Sequence, residues 1–114
     1  MLAKINRLKR KKDFELVFRK GKRFNAGHVG FKALENGLKT SRFGFVVGKR
    51  ISKKAVTRNK VRRRMQEAVK KVLPGMKKNV DGVFIGMPGC EEYDFRAIEA
   101  IIQRLLKQAN ILQV

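Results

Sequence analysis

Between Lys49 and Lys71 the chain carries eleven basic side chains and a single acidic one, Glu67. Arginine and lysine at that density do one kind of chemistry well, which is to hold phosphate. The planar arginine fork engages two phosphate oxygens at once and lysine supplies a point charge on a flexible stem. In the run Arg58-Asn59-Lys60, Asn59 adds an amide that can hydrogen-bond a base edge or a sugar hydroxyl. Within VTRNKVRRRMQEAVKKV, residues 56–72, apolar residues recur at Val61, Met65, Ala68 and Val72, and this helical spacing sets Asn59, Arg63, Gln66 and Lys70 on the opposite face. Arg58 and Arg62 flank that polar face on one side, with Lys60, Arg64 and Lys71 on the other. A solvated helix face mixes signs at i, i+4, because like charges at that spacing destabilise it. Here the repulsion is uncompensated within the helix, so the expected partner is a polyanion. The preceding loop, GKRISKKA, adds Lys49, Arg50, Lys53 and Lys54. It is not a nucleotide-binding P-loop, which needs glycine and Ser/Thr where this chain has Phe43 and Arg50.

Groups that could cut a phosphodiester by themselves are missing from the pattern. General acid–base ribonucleases use paired titrating groups, and His28 is the only histidine. Glu91, Glu92 and Asp94 gather just before a helix start, where capping and the helix dipole account for them. Cys90 is the only cysteine, which excludes a disulfide framework and a cysteine-rich metal site. The expectation is a binding protein with no catalytic residue, metal ligand or cofactor of its own.

The formal charge of +20, from 29 basic and 9 acidic residues, is unevenly placed. Residues 4–23 hold ten basic and two acidic side chains, whereas residues 72–114 hold five of each. A positive face on an otherwise neutral globule is the electrostatic footprint of nucleic-acid binding. A membrane surface fits less well, since the basic helix offers Val61, Met65, Ala68 and Val72 rather than bulky anchors and the chain has no Trp. No apolar run approaches the roughly 18 residues of a membrane span, and no signal-peptide core follows the first basic residues, so a cytoplasmic location is expected. A DNA-reading helix would want a dimer or a second contacting element, and neither is signalled. The length suits one domain, residues 1–114, with residues 1–12 a basic segment that is mobile until bound.

The elements that must carry these residues follow from periodicity. KKDFELVFRKG, residues 11–21, spaces Phe14, Val17 and Phe18 as one face of a short helix. From spacing alone the two rings serve equally as core or as stacking surfaces. Residues 28–34 alternate Val29, Phe31 and Ala33, residues 42–48 alternate Phe43, Phe45 and Val47, and Glu35-Asn36-Gly37 between them predicts a hairpin. After the basic helix, Pro74-Gly75 stops the chain and DGVFIGMP, residues 81–88, reads as a short buried strand. A last helix starts at Asp94 as N-cap, with Tyr93 and Ile98 as a hydrophobic staple and Ile98, Ile101, Ile102, Leu105 and Leu106 as its stripe. The α-β-β-α-β-α order predicts an α+β two-layer sandwich with a small mixed sheet and one crossover connection.

RNKVRRRMQEAV from Arg58, preceded by GKRISKKAV and by DFELVFRKG, resembles the protein subunit of bacterial ribonuclease P, and the match runs in order along nearly the whole chain. The resemblance implies a left-handed crossover between parallel strands, against the usual right-handed rule. It implies a partner of catalytic RNA that removes the 5′ leader of precursor tRNA, with Mg²⁺ held by the RNA and its requirement lowered by the protein. Carried over by position, Arg58, Asn59, Lys60, Arg62 and Arg63 contact the catalytic RNA, with Lys49, Arg50, Lys53 and Lys54 extending that surface. Phe14 and Phe18 match rings lining a cleft for the single-stranded leader. Two positions depart from the family's pattern: Gln66 where relatives often carry arginine, and Lys32 where some carry an aromatic. Lys32 leaves a phosphate contact to the leader available. The rival reading from the residues themselves is a stand-alone basic RNA-binding protein, such as a ribosomal protein or RNA chaperone, which would share the same salt dependence.

Overall fold

The computed structural model describes residues 2–113. Lys11–Lys20 form α1, Lys22–Ala26 β1, Val29–Glu35 β2, Arg42–Val46 β3, Ala55–Val72 α2, Val80–Gly86 β4 and Phe95–Gln108 α3. The strands make one sheet in the order β1-β2-β4-β3, antiparallel except for β3 beside β4. Helix α2 is therefore the crossover between adjacent parallel strands. The order expected from periodicity holds, with one strand, β1, added before the others.

The hairpin expected between residues 28–34 and 42–48 does not form. β4 lies between β2 and β3, and β2 instead makes its hairpin with β1, pairing Phe24 with Phe31 and Ala26 with Val29. The reason lies in the faces. β4 buries apolar side chains on both, Phe84 on one and Val83 on the other, which is the signature of a central strand. β3 leaves Val46 36% exposed at an edge. β1 escapes sequence reading because KRFNA is short and half polar, with Phe24 and Ala26 alternating against Arg23 and Asn25.

The main core sits between the sheet and the layer of α2 and α3. Phe24, Phe31, Phe84 and Phe45 occupy one register row across all four strands, with successive ring centroids at 6.4, 4.3 and 5.7 Å. Onto this row pack Val61, Met65, Ala68 and Val69 of α2 and Ile98, Ile102, Leu105 and Leu106 of α3, all buried. Val69 widens the buried arc of α2 beyond the stripe expected. Asp94 caps α3 by accepting from the Ala97 N–H at 2.9 Å, and Lys71 of α2 pairs with Glu99 of α3 at 2.7 Å.

Helix α1 lies alone on the opposite face. Val17 is fully buried there with Leu8 and Val83, and Phe14 and Ile85 pack around them. The ring of Phe14 comes so close to β3 that a Cβ on Gly44 would meet it at 2.4 Å, so only glycine permits the approach. Before α1, Leu2 and Leu8 are buried, and the Leu8 N–H donates to the Phe43 carbonyl at 2.9 Å along the outer edge of β3. Asp81 locks the far end of this face. It accepts from Arg42 Nε and Nη2 at 2.9 and 2.6 Å and from Asn36 Nδ2 at 2.9 Å. That hydrogen bonding raises the already high pKa of Arg42 against the opposing effect of burial.

Candidate nucleic-acid interface

The sheet face that α1 shares presents two neighbouring rows. Arg23, Lys32, Val83 and Gly44 form one, and α1 lies across it; Asn25, Gly30, Ile85 and Val46 form the next. The second row stands beside α1 as the floor of an open groove, with Asn25 and Val46 exposed and Ile85 half-buried. Phe18, 38% exposed on α1, borders it. Its ring lies 6.5 Å from that of Phe14, which is half-buried against β3.

Lys32 reaches the end of α1 with one of its three donors. Its Nζ donates to the Phe18 carbonyl at 2.6 Å, satisfying a carbonyl in the last turn of α1 and fixing the helix end that carries Phe18.

The chain leaves β3 beside Val46 and runs into the basic loop, so the cations begin where the groove floor ends. Arg58 holds that loop, its Nη1 donating to the carbonyls of Ser52 and Lys53 at 2.9 and 3.0 Å. Arg62 ties α2 to the sheet through the Val47 carbonyl at 3.2 Å and also donates to Asn59 Oδ1. Arg64 donates to the Tyr93 carbonyl at 2.8 Å, just before α3. By contrast Lys49, Arg50, Lys53, Lys54, Lys60 and Arg63 are exposed, and none has a side-chain ion pair among the described residues. The loop and helix thus bring all nine sequence-predicted cationic and amide positions to one end of the molecule, with part of the Arg58 and Arg62 guanidinium groups used to hold its shape.

Gln66 departs from its expected place on the outer face. It is half-buried beside Arg62 and Phe45 at the β3 edge, and its Oε1 has no hydrogen-bond partner among the described residues. The wider buried arc of α2 turns this position toward the sheet.

The other polar groups have structural surroundings. The His28 ring lies 5.8 Å from Tyr93, whose hydroxyl accepts from the His28 N–H at 3.1 Å. Burial, aided by Glu91, pushes the Cys90 thiol up to about 11, so it stays protonated. No group of three or more His, Cys, Asp or Glu side chains among the described residues could hold a metal ion, and no helix there is long and apolar enough to cross a membrane. Sequence reading missed Arg23, Asn25 and Met87 at the groove, because their proximity depends on strand pairing; the polar alternation of KRFNA was the available signal.

A basic loop and helix at the end of an open groove, on an α+β scaffold, define a protein of the nucleic-acid-binding class. Comparison with known proteins makes this specific. The family model described as Ribonuclease P matches residues 2–110. The ribonuclease P protein component of Microcystis aeruginosa is 34% identical, covering 97% of this chain and 96% of the relative. That of Roseiflexus castenholzii is 38% identical over 98% and 92%. The RNase P protein structure from Thermotoga maritima superposes with a TM-score of 0.81 at 30% identity, covering 90% of this chain and 96% of that one. A Staphylococcus aureus RNase P protein structure matches with a TM-score of 0.87 at 23% identity over 95% and 98%, a likeness of fold. The chain belongs to the ribonuclease P protein family. It is a protein subunit of the ribonucleoprotein ribonuclease of tRNA 5′ processing, with ribonuclease P RNA and precursor tRNA as its partners, and this decides against the stand-alone RNA-binding reading.

Proposed function

We propose that the loop and helix from Lys49 to Arg63 are the contact with the catalytic RNA, and that the groove beside α1 takes the 5′ leader of precursor tRNA. The observation that carries this is the set of exposed cations Lys49, Arg50, Lys53, Lys54, Lys60 and Arg63, free of ion pairs among the described residues, continuous with the groove floor at Val46. Each phosphate neutralised there releases condensed counterion, which drives association and makes it salt-dependent. Arg58 and Arg62 act twice in this reading: Nη1 of Arg58 shapes the loop, Nη1 and Nη2 of Arg62 hold the Val47 carbonyl and Asn59, and the remaining donors of both face the RNA with the Asn59 amide. On the leader side, Phe18 offers a ring for base stacking, Phe14 supports it from the half-buried position, and Lys32 holds the end of α1 with one donor and offers the others to a leader phosphate.

Among the described residues no cluster of donors suits a catalytic metal; in this reading Mg²⁺ is held by the RNA, where it would supply activated water for phosphodiester hydrolysis. The polypeptide lowers the metal requirement by neutralising phosphate and holding the leader. The cytoplasm is the location that goes with this role.

The test is precursor-tRNA cleavage by a bacterial ribonuclease P RNA at limiting Mg²⁺, with the protein and with a Lys60→Ala/Arg63→Ala variant. The protein should restore accurate 5′ cleavage, and the variant should need more Mg²⁺ or more protein to match it while melting at the same temperature. Binding without any stimulation of cleavage would defeat the proposal.

A further inference from the structure

Arg23 and Lys32 face each other across the register of β1 and β2, and the two cations diverge. Lys32 turns under α1 to the Phe18 carbonyl. Arg23 turns the other way, its Nε donating to Asn25 Oδ1 at 3.3 Å and its Nη2 reaching Met87 Sδ, just past the end of β4, at 3.9 Å. Between those anchors the guanidinium passes over Gly30 of β2. A Cβ built on Gly30 would lie 2.6 Å from Nη2 and 3.2 Å from Cζ, so the glycine is what lets the group settle there. Gly30 is buried on an otherwise open row because Arg23 covers it.

A side chain anchored on β1 and beyond β4 while covering β2 must lie along the sheet. Its planar head is set against Gly30, with Nη2 and Cζ the nearest atoms, and the residue is otherwise exposed. Among the described residues no carboxylate pairs with it.

We infer that Arg23 is a stacking platform for one unpaired base of the leader, supplying from β1 the flat surface that Lys32, tied to α1, does not supply from β2. Single-stranded RNA bases stack on guanidinium planes as they do on aromatic rings, and a cation over a π-system adds electrostatic attraction. A phosphate is the weaker fit because the Nε–Nη2 edge, one of the two that could take it with two hydrogen bonds, already faces Asn25 and Met87, whereas a base can lie over the exposed guanidinium. The inference rests on the leader-groove reading above and adds to it the residue that meets a base.

The test uses holoenzyme reconstituted with a bacterial ribonuclease P RNA and measures its affinity for precursor tRNA bearing a short leader and for mature tRNA bearing none. Arg23→Lys keeps the charge and loses the plane; Gly30→Ala keeps the arginine and takes its seat; Phe18→Ala serves as the control for the groove. Arg23→Lys and Gly30→Ala should each weaken leader-bearing tRNA about tenfold, the scale of one stacked base, with mature tRNA and the melting temperature unchanged. An abasic site at one leader position should weaken wild type by the same factor and erase its difference from Arg23→Lys. Wild-type affinity in Arg23→Lys, or no abasic position that erases the difference, overturns the platform. If Phe18→Ala loses leader-dependent affinity while the other two variants do not, the platform fails and the groove reading stands. If wild type itself does not distinguish leader-bearing from mature tRNA, the groove reading falls with it.

Discussion

Arg58 and Arg63 are five residues apart on one helix and should respond differently to removal. Arg58 donates to two loop carbonyls, whereas Arg63 is exposed without an ion pair among the described residues. Arg63→Ala should therefore lower affinity for the catalytic RNA, reduce the slope of log affinity against log salt by about 1, and leave the melting temperature where it was. Arg58→Ala should lower affinity and also cost about 1 kcal/mol of stability, seen as an earlier urea midpoint. Cys90 provides a separate check on packing. Its folded pKa of about 11 lies above the ordinary value of 9.0, so the contribution of the buried protonated thiol is present below pH 9 and is lost as pH rises toward 11. Stability should decline across that window by more than in Cys90→Ala, and the thiol should resist alkylation at pH 8 until the chain unfolds.

At the scale of elements, α1 is a lightly held helix: its buried contacts are Val17 and the half-buried Phe14 against one part of the sheet. The position of Phe18 at the groove depends on that small cluster and on the Lys32 tie. Gly44→Ala would push a methyl into the Phe14 ring, a contact of 2.4 Å that must be relieved by moving the ring or the helix. The expected cost is about 1–3 kcal/mol in a urea titration. Leader-dependent affinity should fall with it, while affinity for the catalytic RNA, which uses α2 and its loop, should hold. Equal loss of both would mean that α1 and α2 do not serve separate surfaces.

For the molecule as a whole, a charge of +20 is confined to a body of 36 × 31 × 24 Å. At about 0.01 M salt the screening length is about 30 Å, comparable to the whole protein, so every cation feels the others; at about 0.15 M it is about 8 Å and only neighbours interact. The free protein should consequently melt at a higher temperature as salt rises over that range, while its RNA affinity falls steeply over the same range. The opposite signs share one cause, since the repulsion that RNA relieves is the repulsion that salt screens. A melting temperature indifferent to salt would show that the charges are spaced too widely to strain the fold.

The sequence by itself determined the three helices, the sign and placement of charge, and the want of a paired acid–base set, because periodicity and composition are local properties of the chain. Val17, Val61, Met65, Ile98 and Ile102 sit in the core where their spacing puts them. The ordered run from DFELVFRKG to RNKVRRRMQEAV was enough to indicate the family. Only the tertiary structure decided which strands are neighbours, because alternation tells which side of a strand is buried and not what pairs with its edge; hence β4 between β2 and β3, against the expected hairpin. The same limit hid the groove. Arg23 meets Gly30, Asn25 and Met87 through pairing across β1, β2 and β4, and Arg58 and Arg62 reveal which of their donors are already bonded only once the loop is folded against them. Cation density is written in the chain, but which cations remain available is a matter of hydrogen bonds between segments far apart along it.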